Sequence, residues 1–173
     1  MDEYDDLFEV MGYSGEGFGG GQLGAAGLVR VGAEPGAIRT VSATGASRAT
    51  AVRVRLVPMS ARGTGVRVLR VLVPDEPAYL VEYRTPAGRD ARIVAGSWRP
   101  SPGVRVLRET ADGASVELDA TPGGRRYDRS LPPGVTFVSH SGAVRITVAA
   151  QDAGGADLVL DASEEDDPPA THR

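Results

Sequence analysis

The stretch "AVRVRLVP", residues 51–58, alternates apolar and charged side chains. Val52, Val54 and Leu56 fall on one side and Arg53 and Arg55 on the other. That period of two is the mark of a β-strand with one face buried and one face in water. A helix would bring residues three and four apart onto one face, mixing arginine with valine, so the stretch is a strand.

The same signal repeats on both sides of it. "AIRTVSA" (37–43), "GVRVLRE" (103–109), "SVELD" (115–119), "VTFVS" (135–139), "AVRITVAA" (143–150) and "ADLVLDA" (156–162) are short, β-branched and separated by turn formers. "VRVLRVLVP" (66–74) slips phase, because Arg67 and Arg70 are three apart; a bulge or a strand covered on both faces accounts for it. "AYLVEYRTPAGRDARIV" (78–94) predicts a hairpin, with Tyr79, Val81 and Tyr83 inward, a Pro-Ala-Gly turn and a return strand. About nine or ten strands at this spacing predict a mainly β chain folded as an antiparallel β-sandwich. The 23 glycines and 12 prolines scattered through the chain suit its turns. "GQLGAAGLVRVG" (21–32) is the one helical candidate, with Leu23, Ala26, Leu28 and Val31 near helical spacing and its glycines weakening it.

Three segments are expected: a loop and helix over 1–32, the sandwich over 33–162, and a disordered acidic tail, "SEEDDPPATHR", over 163–173. The 173 residues suffice for one well-cored domain, and 41% hydrophobic content is ordinary for one. A net charge of -4 and a pI near 5.2 argue against a nucleic-acid partner. No apolar run approaches the roughly 20 residues that span a membrane, so no membrane partner is expected. The N-terminus shows no secretory signal, and the chain alone leaves localisation undetermined. Cysteine is absent, which removes disulfides, thiolate metal sites and a cysteine nucleophile. All 19 basic residues are arginine, a composition that points to genome bias more than function.

Catalytic motifs are scarce. The two histidines are His140, in the turn-like "FVSHSG", and His172, in the tail. Ser139 and Ser141 flank His140, but no G-x-S-x-G elbow accompanies them, and a turn histidine is the expectation. There is no H-E-x-x-H and no cysteine pair for zinc. "DEYDDLFE" lacks the alternating oxygen ligands and the glycine of a calcium loop. "GEGFGGG" lacks the Lys-Ser/Thr of a phosphate loop. The residues thus nominate no catalytic, cofactor-binding or metal-binding side chain. Arginines at alternate strand positions are expected on a solvated sheet face, paired across strands with glutamate, rather than on a polyanion-binding face. Glu82, Arg84 and Asp90 surround the Pro-Ala-Gly turn and are expected to brace it as an ion pair.

The opening "EYDDLFEVMG" (3–12) resembles the E-Y-G-D-P-F-D-V-M-G segment of gametolysin-like and immune-inhibitor-A-like zinc metallopeptidases. Glu3, Tyr4, Asp6, Phe8, Val10, Met11 and Gly12 match; Asp5, Leu7 and Glu9 replace Gly, Pro and Asp. Further likenesses follow in order. "QLGAAGLVRVG" stands where the family has a helix ending in Leu-Gly-Trp, without the Trp. "AYLVEYRTPAGRD" is similar to the family's Tyr-x-x-Glu-Tyr-Arg…Gly-x-Asp hairpin. "VELDATP" and "LPPGVTFVSHSGAVRITV" resemble its Leu-Asp-x-x-Pro and Leu-x-x-Gly-x-Thr-Phe endings.

The resemblance implies that Val10, Met11 and Gly12 form a Met-turn, whose methionine packs beneath the zinc-binding imidazoles without binding the metal. It implies a metzincin-type catalytic domain of which residues 1–32 are a remnant. Zinc would belong to a full-length relative, since the H-E-x-x-H that binds it precedes the Met-turn in the family and does not occur here. An internal start at Met1 and a truncated gene product both fit. The implied partners are an upstream catalytic domain and a protein substrate, and the implied setting is extracellular. The expected function is therefore the C-terminal part of a secreted zinc endopeptidase, inactive by itself. The alternative is a free-standing β-sandwich binding or structural module.

Overall fold

A computed structural model describes residues 23–32, 36–43, 51–91, 101–122 and 128–162. In chain order the elements are helix α1 (Ala25–Val31) and strands β1 (Ile38–Ser42), β2 (Val52–Leu56), β3 (Val68–Leu72), β4 (Tyr79–Arg84), β5 (Gly103–Glu109), β6 (Ser115–Glu117), β7 (Thr136–Val138), β8 (Val144–Asp152) and β9 (Gly155–Ala162). A short 3-10 turn, Gly88–Asp90, follows β4. One sheet runs β1-β3-β4-β5-β6 and the other β2-β9-β8-β7. Every neighbouring pair is antiparallel except β1 with β3, which is parallel. The chain is a mainly β protein with the two sheets of a β-sandwich.

Alternation builds the core between the sheets. Val54 and Leu56 of β2 are buried and Arg53 and Arg55 are exposed, as the sequence pattern requires. They meet Leu69 and Val71 of β3, Tyr79, Val81 and Tyr83 of β4, Val104 and Val106 of β5, and Ile146, Leu158 and Leu160 from β8 and β9. Burying each large aliphatic side chain contributes about 1.5–3 kcal/mol.

The five-stranded sheet is covered on its other face too. Ala25 and Ala26 of α1 lie with Met59, Val68, Leu80 and Leu107 in a second apolar cluster. That covering explains the phase slip at 66–74: β3 is buried on both faces and pairs with β4 in continuous register. The bulge lies in β8 instead, between Val148 and Ala150. Helix α1 ends at Gly32, whose φ of 70° is the left-handed conformation that lets its N–H close on the carbonyls of Leu28 and Val29.

The expected hairpin at 78–94 is corrected in one respect. β4 pairs with β3 on one edge and with β5 on the other, Tyr79 opposite Arg108 through Arg84 opposite Gly103. Both edges are filled, so the antiparallel partner after the turn is 103–109; the return strand expected near 92–94 lies outside the described residues. The tail 163–173 also lies outside them.

Candidate functional site

The chemistry-bearing side chains converge on the outer face of β4. Along "YLVEYR" the odd positions feed the core, which turns Leu80, Glu82 and Arg84 to the opposite face, beneath α1. All six residues of the strand are buried. The Glu82 carboxylate accepts hydrogen bonds from Arg105 Nη1 at 2.7 Å, Arg84 Nε at 2.9 Å and the backbone N–H of Ala25 at 2.7 Å. Arg84 Nη1 reaches both Asp90 oxygens at 3.2 Å. Arg105 Nε donates to Glu117 at 2.8 Å. Glu82, Arg84 and Asp90 have no exposed surface, and Arg105 has 1%.

Burial by itself would raise the Glu82 pKa. The charges of Arg84 and Arg105, the Arg84 hydrogen bond and the Ala25 N–H more than reverse that, and the carboxyl titrates below its ordinary value. For Arg84, burial works against the charged form, while Glu82 and Asp90 outweigh it and raise the guanidinium further. The cluster therefore stays ionised and self-paired. Its chemistry is bracing: it ties α1, the 3-10 turn and two central strands to one carboxylate. Glu82, Arg84 and Asp90 thus come together as expected. The expectation of a solvated arginine face holds for Arg53 and Arg55 but not for Arg105, which crosses to Glu82 as expected and yet is sealed from water.

Around His140 the expected turn is present between β7 and β8. Its backbone N–H donates to Tyr79 Oη at 3.2 Å. Glu76 accepts from Tyr79 Oη and from both the N–H and the hydroxyl of Ser141. Burial raises the Glu76 pKa, but the Ser141 and Tyr79 hydrogen bonds bring it below its ordinary value. Ser139 Oγ accepts the N–H of Val144 at 3.1 Å. The serine hydroxyls are thus engaged in fastening the turn, while the His140 side chain is exposed.

A third feature gave no sequence signal. Where the β4 end faces the β8–β9 turn, a cavity of about 310 Å³ is lined by Tyr83, Thr85, Pro86, Pro102, Gly103 and Gln151, among others. Gly103 has φ of 147°, and a Cβ there would stand 2.7 Å from Ser130 Cβ, so the backbone passes the rim without room for a side chain.

The Met-turn residues Val10, Met11 and Gly12 lie outside the described residues, as does His172. Among the described residues no three His, Cys, Asp or Glu side chains form a group able to hold a metal ion. With no cysteine in the chain and His140 in a solvent-facing turn, the donors among the described residues do not fit a zinc site. Among the described residues no helix is long and apolar enough to cross a membrane. No known protein family, curated protein or solved structure matches the chain.

Proposed function

We propose that the chain is the Met-turn-and-sandwich part of a secreted zinc endopeptidase resembling gametolysin, with no proteolytic activity of its own. The observation that supports this reading is the Glu82 cluster. The residues that spell the resembling hairpin, Glu82, Arg84 and Asp90, are joined in space and bonded to the start of α1. The sandwich is thereby fastened to helix α1, the element that follows the resembling Met-turn segment in the sequence. The zinc-binding helix would come from outside these 173 residues, which contain no H-E-x-x-H.

Reading the genomic DNA upstream of Met1 tests this. An in-frame H-E-x-x-H within roughly a hundred codons supports it, and in-frame stops favour the free-standing module or a decayed gene. The purified chain is expected to retain no stoichiometric zinc through dialysis and to leave casein intact. One equivalent of retained zinc, or casein cleavage abolished by a chelator, would overturn that expectation.

A second reading, a free-standing binding module, is favoured by the cavity beside Thr85 and Gln151. It needs no upstream domain.

A further inference from the structure

We propose that the free edge of β2 takes up an extended peptide of alternating acidic and apolar residues, which adds a fifth strand to the four-stranded sheet. The proposal does not depend on the peptidase reading, because it uses only groups described in the sandwich.

β2 ends its sheet, laddered among the described residues to β9 alone. Strand alternation sorts its backbone groups between the two edges. Leu56 O lies against Gly155 of β9, where an added Cβ would stand 2.5 Å from it, so Val52, Val54 and Leu56 serve that ladder. Arg53, Arg55 and Val57 therefore turn their backbone groups to the other edge. Two bonds on that side agree: Arg53 O accepts from Arg39 Nη1 at 3.3 Å, and Val57 N–H donates to Val66 O at 2.8 Å. The N–H of Arg53 and both backbone groups of Arg55 have no further bond among the described residues. Such groups, two residues apart on an edge, are the template for strand addition.

Charge selects the occupant. Arg53 is exposed on the outer face, and the Arg39 guanidinium reaches the same edge. Arg67 bonds Ala37 O through its N–H, and its Nη2 holds the carbonyls of Ala61 and Gly63, which places Arg62 on this side too. None of these four arginines meets a carboxylate among the described residues, whereas Arg55 is held by both Asp152 and Asp157. Unpaired arginines repel a basic edge and reward an acidic one, since opposite charges across strands attract. The wider sequence points the same way: residues 23–162 carry 18 arginines against 13 acidic residues, although the whole chain stands at -4.

The inward side asks for apolar groups. Val41, Val52 and Val66 pack on the core here and are only partly buried. Side chains of an added strand alternate between the two faces, so glutamates opposite Arg53 and Arg55 leave the residues between them to cover these valines.

The test is a titration of the ¹⁵N-labelled full chain with a capped hexapeptide of alternating glutamate and valine. Saturable binding is expected with a dissociation constant of roughly 0.1–1 mM, with amide shifts and slowed hydrogen exchange concentrated at Arg53 and Arg55. Raising salt from about 0.05 to about 0.5 M should weaken it severalfold. Arg53→Glu should weaken it roughly tenfold and Arg39→Ala about threefold, while Arg108→Ala, on β5, should leave it unchanged. Arg39→Ala decides the matter if Arg53→Glu fails to fold. Absence of saturable binding overturns the proposal, and so do shifts centred elsewhere or undiminished binding in both edge variants. Equal binding of the peptide N-methylated at its glutamates, whose N–H groups would face β2, overturns strand addition. Equal binding of a lysine–valine peptide overturns the charge selection. Binding of a heparin hexasaccharide in place of the peptide overturns it too, and would make the edge a polysaccharide face.

Discussion

Two arginines in this molecule each sit between two carboxylates at nearly the same distances, and they do different work. Arg84 bonds Glu82 and Asp90 at 2.9 and 3.2 Å with no exposed surface on any partner. Arg55 bonds Asp157 and Asp152 at 2.7 and 3.1 Å, with all three side chains about half in water. Geometry alone would rank the exposed triad as the stronger. Solvent reverses the ranking: water replaces any partner Arg55 loses, whereas nothing replaces a partner lost beneath α1. Ion-pair distance is therefore a poor guide to consequence in this fold, and what lies over the pair is a good one.

The largest effect expected from breaking this comparison is at Arg84. Arg84→Ala leaves Glu82 and Asp90 buried with less compensation and should cost about 3–5 kcal/mol in urea unfolding. A loss as small as that of a surface substitution would show that the cluster is open to water.

Glu82→Gln is milder, because an amide oxygen still accepts from Ala25 N–H, and about 1–3 kcal/mol is expected. The same variant carries a pH signature. The folded pKa of Glu82 lies below its unfolded value, so the unfolded chain binds the proton more tightly and stability rises with pH across the interval between them. The contribution is complete above the ordinary glutamate pKa of about 4.3 and is lost as pH falls through the lower folded value. The unfolding midpoint should therefore hold steady down to that range and then drop, and the drop should be shallower in Glu82→Gln. Equal acid profiles for the two proteins would assign the drop to other groups.

Arg55→Ala should have the smallest effect, with a urea midpoint indistinguishable from the parent. What remains of its contribution should fade on adding salt, while the Arg84 cluster should be nearly indifferent to it. A large loss at Arg55 would collapse the distinction.

The sheet architecture was legible wherever one face meets water. "AVRVRLVP" announces its own burial because Arg53 and Arg55 point outward and stay there. "YLVEYR" misleads for the same reason: Glu82 and Arg84 hold the phase that a solvated face would hold. Their burial comes from α1, whose Ala25 lies 57 residues earlier, and no local pattern carries that information. The Pro-Ala-Gly turn was readable and its pairing partner was not, since partner choice depends on both edges of β4. The bracing role of Glu82, Arg84 and Asp90 was visible from charge alternation around a turn. Thr85 and Gln151 were invisible, because lining a cavity is a property of surroundings rather than of residue type.

The interleaving of the strands has a consequence for how the protein is made. β2 lies between β1 and β3 in the chain, yet its one ladder among the described residues is with β9, Val52 opposite Leu160. During synthesis β2 must wait, unpaired, through nearly the whole remaining sequence. The five-stranded sheet has all its strands by Glu117, but the four-stranded one cannot close until β9 is made, and such distant pairing is intrinsically slow to form. A ribosome stalled after β8 would hold a chain with an open, valine-rich edge, the kind of edge that recruits a neighbour. Residues 155–162 thus act as the closing stitch of the whole sandwich, and its vulnerability to misassembly lasts until they emerge.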